Sequence, residues 1–229
     1  METLWNGVSL ENGPFKLGTD SVACAWFADF SPGSKICDLG CGSGAISLML
    51  LASEPRLHLT GIEYMPQAAE LAQKNAERNQ LPFTVIHGDL RQIRTLLDAG
   101  SMDGVISNPP YFPVGSGFAA EGILAQARSE QTCDLHQLTA AASWLLRTGG
   151  KFTLVHRPER LADLIWHLRL EKLEPKRIRF VRHRQDSPIS LLLMEARKGG
   201  SPGLVYEPDL ILHDEHGETA EYRRMYHRE

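Results

Sequence analysis

At 229 residues, with 42% hydrophobic and 23% charged content, the chain reads as an ordinary soluble globular protein with one sizeable core. Its net charge of −4 and pI near 6.1 exclude a protein that grips nucleic acid by bulk charge alone, though not one with a local basic face. Cys24, Cys37, Cys41 and Cys133 show neither a paired metal spacing nor a secretory framework, and no signal peptide or long apolar run is present, so no metal site and a cytoplasmic location are expected.

Within the first 33 residues, Val22, Trp26, Phe27 and Phe30 fall at helical spacing, which predicts a lead-in helix over 21–30. Thr19 or Asp20 can cap it, or the segment can serve the site that follows. Ser31 to Gly33 breaks it. From there strands are predicted at 34–39, 57–63, 83–87 and 103–107, and helices at 44–53, 66–79 and about 90–98. Further on, a helix over 134–146 ends at Gly149 and Gly150. It is followed by a strand at 151–156, a helix from about Pro158, and strands at 176–181 and 189–196. Alternation of this kind predicts an α/β fold, a mostly parallel sheet with helices on both faces. The core domain spans 1–198; residues 199–229, rich in Gly, Pro and acids, read as a tail forming a hairpin and a short helix packed on that domain.

The glycine-rich turn Asp38 to Gly44, between the first strand and its helix, makes a cradle for a nucleotide-like ligand, with Gly40, Gly42 and Gly44 removing the side chains that would block it. Asp38, Glu63, Asp89 and Asn108 then fall at four successive strand ends, where ligands bind on such sheets. Glu63 suits two ribose hydroxyls, while Asp89 and the backbone N–H of Leu90 suit an adenine edge. Asn108, Pro109, Pro110 and Tyr111 point to the reaction. The Asn108 amide oxygen and the Pro109 carbonyl are two acceptors held side by side, matching the two N–H donors of one planar amino group. Tyr111 and Phe112 supply flat faces for stacking, worth roughly 1 to 3 kcal/mol for a base. Methyl transfer from S-adenosylmethionine to that nitrogen needs positioning and electrostatics rather than a metal or a strong base.

These motifs resemble those of class I S-adenosylmethionine-dependent amino-methyltransferases. The stretches Phe15 to Asp20, Ala127 to Glu130, Val155 to Leu161, Glu174 to Phe180 and Gly217 to Tyr226 are similar to the bacterial family of adenine N6-methyltransferases acting on valine tRNA beside the anticodon. The resemblance implies a Rossmann-like sheet of seven strands with the last antiparallel, S-adenosylmethionine as cofactor, tRNA as partner, and Lys16 and Thr19 beside the cofactor. Two alternatives stay open: glutamine N5-methylation of a protein, whose enzymes usually carry a larger helical domain ahead of the cradle, and a non-catalytic nucleotide- or RNA-binding module.

Between Arg147 and Arg184, eleven basic residues stand against four acidic ones, a local excess of seven. Arg177 and Arg179 in that stretch are expected at RNA phosphates, unless the stretch is a set of solvated faces. Arg128, in the long loop after Tyr111, is expected at a phosphate or the target ribose, with Gly115 to Gly122 letting the loop close over a flipped base.

Overall fold

The computed structural model describes residues 2–4, 7–11, 17–109 and 134–226. A short antiparallel pair, β1 (Glu2–Thr3) and β2 (Ser9–Leu10), precedes helix α1 (Thr19–Phe27). Then follow β3 (Lys35–Leu39), α2 (Ala45–Ser53), β4 (His58–Glu63), α3 (Pro66–Arg78), β5 (Phe83–His87), a 3-10 turn (Leu90–Gln92), α4 (Ile93–Leu96) and β6 (Met102–Ser107). The second half holds α5 (Leu135–Leu145), β7 (Leu146–His156), α6 (Leu161–Leu170), β8 (Leu173–Arg182) and β9 (Ile189–Lys198). The tail adds β10 (Val205–Tyr206), β11 (Leu210–Ile211), a hairpin of β12 (His213–Asp214) and β13 (Gly217–Glu218), and α7 (Ala220–Met225).

Seven strands form the sheet in the order β8-β9-β7-β6-β3-β4-β5, with β9 antiparallel to both neighbours and the other pairings parallel. Two short tail strands extend it: β10 and β11 pair in turn with the outer edge of β8 and cover backbone groups that would otherwise be exposed. Strand order reverses between β3 and β6. The crevice above their carboxyl ends is where such sheets hold ligands.

Side chains alternate between two cores, as the period of two in a strand requires. On β9, Leu191 and Leu193 join α1, α2 and α3 on one face, while Leu192 and Met194 join α5 and α6 on the other. Both faces being covered explains why β9 is continuously apolar from Leu191 to Met194.

Local differences from the sequence-based expectation have identifiable causes. Helix α1 starts at Thr19, so Gly18 is its N-cap and neither Thr19 nor Asp20 caps it; the Asp20 carboxylate instead accepts from the Ser21 N–H at 2.8 Å. Gly149 and Gly150 do not end a helix. They lie inside β7, where the register against β6 jumps between Met102 and Gly104. Gly149 takes φ +81°, and a Cβ at Gly150 would sit 3.0 Å from the Asp103 carbonyl, so the pair permits a bulge that larger residues would block. The predicted helix at 90–98 is the 3-10 turn followed by the single turn α4, with the Asp89 carboxylate accepting from the Arg91 N–H at its start.

Candidate active site

The cradle is fastened to β4 at two levels. The N–H groups of Gly40 and Cys41 donate to the Ile62 carbonyl at 2.8 and 3.2 Å, and the N–H of Gly42 donates to Glu63 Oε2 at 2.9 Å. Glu63 Oε1 accepts from the Met65 N–H at 2.8 Å. Thus Glu63, only 8% exposed, stitches the glycine turn to the end of β4 before any ligand arrives. A carboxylate has about four lone-pair directions, so two acceptor sites stay compatible with ribose hydroxyls. Burial pushes the Glu63 carboxyl above its ordinary range. Gly40 and Gly42 take φ of +73° and +56°, and a Cβ at either would meet nothing within 4 Å, so the turn presents open space rather than packed surface.

Asp38, at the end of β3, is 1% exposed. Its Oδ2 accepts from Ser47 Oγ at 2.8 Å, and its Oδ1 is buried with no hydrogen-bond partner among the described residues. Burial raises its carboxyl to about 7, the Ser47 hydroxyl opposing and the Glu63 charge adding to the rise. A buried carboxylate oxygen with no donor is what a cationic or N–H-bearing ligand group would satisfy.

The segment at Asn108 meets the cradle across one strand spacing. Asp38 lies opposite Ile106 in the β3–β6 ladder, which brings Leu39 abreast of Ser107, and Ser107 Oγ donates to the Leu39 carbonyl at 2.7 Å. Neighbouring strands run about 4.8 Å apart, so the glycine turn and Asn108 leave the sheet side by side. Asn108 Nδ2 donates to Ser21 Oγ of α1 at 2.9 Å, and Pro109 is buried.

Other expected residues are placed differently. The Asp89 carboxylate is gripped by the Arg91 guanidinium, which holds its pKa below the usual range, so an adenine amino group would have to share it. Leu90 opens the 3-10 turn beside it. Thr19 Oγ1 accepts from the Tyr226 hydroxyl at 3.3 Å, tying the start of α1 to the tail. Lys16, Pro110, Tyr111, Phe112 and Arg128 lie outside the described residues.

Arg177 and Arg179 stand on β8, three strands from β6, and carboxylates occupy both. Arg177 pairs with Glu195 and Glu207 at 2.9 and 2.6 Å, and Arg179 makes a two-pronged contact with Glu221 at 2.6 and 2.7 Å. The local excess of seven is countered from elsewhere in the chain, by Asp29, Asp103, Glu195, Glu207, Asp209 and Glu221. Sequence counting within a window cannot see acids delivered from outside it, three of them by the tail.

Three residues that the motif reading passed over stand at the crevice. Tyr64, directly after Glu63, is 47% exposed with the Arg91 guanidinium 5.9 Å from its ring centre, a flat face beside the end of β4. Ser21 holds Asn108. His156, fully buried at the end of β7 next to β6, accepts from the Arg157 N–H at Nδ1, and burial lowers its pKa to about 4, so it is a neutral ring. Only His156 carried a signal, as part of the stretch Val155 to Leu161.

Comparison with known proteins agrees with this geometry. Residues 23–171 match the methyltransferase small domain. A tRNA1(Val) (adenine(37)-N6)-methyltransferase of Porphyromonas gingivalis is 33% identical over 192 residues, covering 80% of this chain and 74% of that protein. One of the same description from Dyadobacter fermentans is 28% identical, covering 91% and 86%. Among solved structures, a predicted O-methyltransferase from Agrobacterium tumefaciens superposes with a TM-score of 0.75 at 21% identity, over 91% of this chain and 96% of its own. Geranyl diphosphate C-methyltransferase from Streptomyces coelicolor, solved with S-adenosyl-L-homocysteine, gives 0.57 at 14% identity over 77% and 78%. The glycine turn, the reversal of strand order beside it and this match over most of the chain place the protein in the methyltransferase small domain family.

Proposed function

We propose that this chain transfers a methyl group from S-adenosylmethionine to the N6 amino group of an adenine in tRNA, next to the anticodon. The observation that carries the proposal is the emergence of the glycine cradle and Asn108 from adjacent ends of β3 and β6. The printed activity of the relatives supports the choice of adenine and of tRNA.

Asp38, the Gly40 to Gly44 turn and Glu63 would hold the cofactor, with Tyr64, Asp89 and Leu90 at its base; bound there, it supplies a methyl group on a sulfonium that leaves as a neutral thioether. The Asn108 amide oxygen and the Pro109 carbonyl accept the two N–H bonds of the target amine. Accepting both draws the nitrogen toward a pyramidal geometry and frees its lone pair from conjugation with the ring. Ser107, through its bond to the Leu39 carbonyl, keeps that pair of acceptors at a fixed height above the cradle. No side chain is required as a strong base, because the nitrogen gives up its proton after attack.

Two measurements test this. Nucleosides from bulk tRNA, compared by mass spectrometry with and without the gene, should lose N6-methyladenosine; an unaltered profile transfers the proposal to a protein amide. Asn108→Ala should abolish turnover while leaving cofactor affinity within about twofold of wild type, since in this geometry Asn108 grips the amine rather than the cofactor. A binding module would be indifferent to that substitution.

A further inference from the structure

We infer that helix α1 is the positioning element of the reactive asparagine, with Ser21 anchoring the Asn108 amide beside the cradle. The inference rests on the proposed amine methylation. The target brings N–H donors and needs the amide oxygen as acceptor, so the reaction depends on where that side chain is held. Ser21 Oγ accepts from Asn108 Nδ2 at 2.9 Å, across 87 residues of sequence. That contact holds the nitrogen end against α1, and the oxygen end lies in the same plane on the far side of the Cβ–Cγ axis. One turn later on the same face of α1, Cys24 Sγ donates to the Ser107 carbonyl at 3.7 Å. On the opposite flank, Ser107 Oγ donates to the Leu39 carbonyl at 2.7 Å. Residues 107 and 108 are therefore clamped between α1 and the cradle by three side-chain contacts, and of the three Ser21 is the one that touches the Asn108 amide.

Ser21→Ala separates this role from a merely structural one, because alanine is the better helix former at that position and leaves the backbone of α1 intact. In nitrogen–proton correlation spectra of the apo protein, the Asn108 side-chain amide pair, identified by its absence from Asn108→Ala, should shift and exchange faster with water in Ser21→Ala. Turnover should fall roughly tenfold to a hundredfold, with the calorimetric Kd for S-adenosylmethionine and the melting temperature held near wild type. Ser21→Thr, which keeps the hydroxyl, should restore both. An unmoved Asn108 amide pair, or a kcat near wild type in Ser21→Ala, overturns the inference; so does a loss of turnover matched by an equal loss of cofactor affinity. If the wild-type chain methylates no tRNA, the proposed function fails alone, and the amide signals still decide whether Ser21 orients Asn108.

Discussion

Asp38 shows how a single side chain records what the site is built to receive. Its unfolded carboxyl titrates near 3.8 and its folded carboxyl near 7, because burial outweighs the one hydroxyl that reaches it. Between those values the folded chain keeps a proton that the unfolded chain has lost. Its contribution to stability is therefore fully present below about pH 4 and disappears as pH rises through about 7. Asp38→Asn cannot titrate, so urea unfolding at pH 4 and pH 8 should show wild type losing up to about 4 kcal/mol relative to the variant across that range. A gap independent of pH would mean that the folded carboxylate is already charged and matched by a cation. Glu63 has the complementary role: Glu63→Ala strands the N–H groups of Gly42 and Met65 as well as removing the proposed ribose acceptor. Calorimetry should show the Kd for S-adenosylmethionine rising roughly tenfold to a hundredfold, the cost of losing a hydrogen bond to a charged group; unchanged affinity would remove Glu63 from the cofactor site.

At the level of elements, what could be read from the sequence was whatever repeats at a fixed period or obeys a local rule. The strand, glycine turn and helix of β3 to α2 follow from an apolar run, three glycines and a second apolar run, and the structure reproduces them to within a residue. The bulge in β7 was not legible, since two glycines after a helix signal a stop far more often than a strand that bends. Nor was the link between Ser21 and Asn108, because a contact across 87 residues leaves no mark on the spacing of either segment. The same limit hid the partners of β8. Arg177 lies over the Phe27 ring with its guanidinium 4.4 Å from the ring centre, and it neutralises Glu195, which is 3% exposed. Arg177→Ala would leave that carboxylate buried and unmatched, at a cost of roughly 3 to 5 kcal/mol. The melting temperature should fall by roughly 10 °C at this chain length, and the Arg177→Ala, Glu195→Ala double variant should recover part of the loss. A melting temperature that Arg177→Ala leaves in place would show the pair to be incidental.

For the molecule as a whole, the tail decides how much positive charge the outer edge of the sheet presents. Residues 199–229 carry seven acidic and three basic side chains, a net −4 that equals the net charge of the full chain, so the rest of the protein is neutral without them. Three of those acids, Glu207, Asp209 and Glu221, are bound to Arg177, Arg182 and Arg179, while Leu210, Leu212 and Met225 are buried in the core on the α1 side. Apolar anchoring and charge neutralisation are thus separable by substitution. Glu207→Gln, Asp209→Asn and Glu221→Gln together keep the shape of the tail and its packing while releasing Arg179 and Arg182 from their carboxylates and leaving Arg177 with Glu195 alone. If RNA passes this edge, its affinity for the triple variant should rise, and each phosphate newly contacted should steepen the dependence of log K on log salt by roughly 0.7 to 0.9. Filter binding of bulk tRNA across a salt series would read a slope steeper by about 1.5 for two released arginines. An unchanged slope in a folded variant would place the RNA path away from β8, and the tail acids would then serve only to hold the sheet edge closed, leaving recognition to residues nearer Asn108.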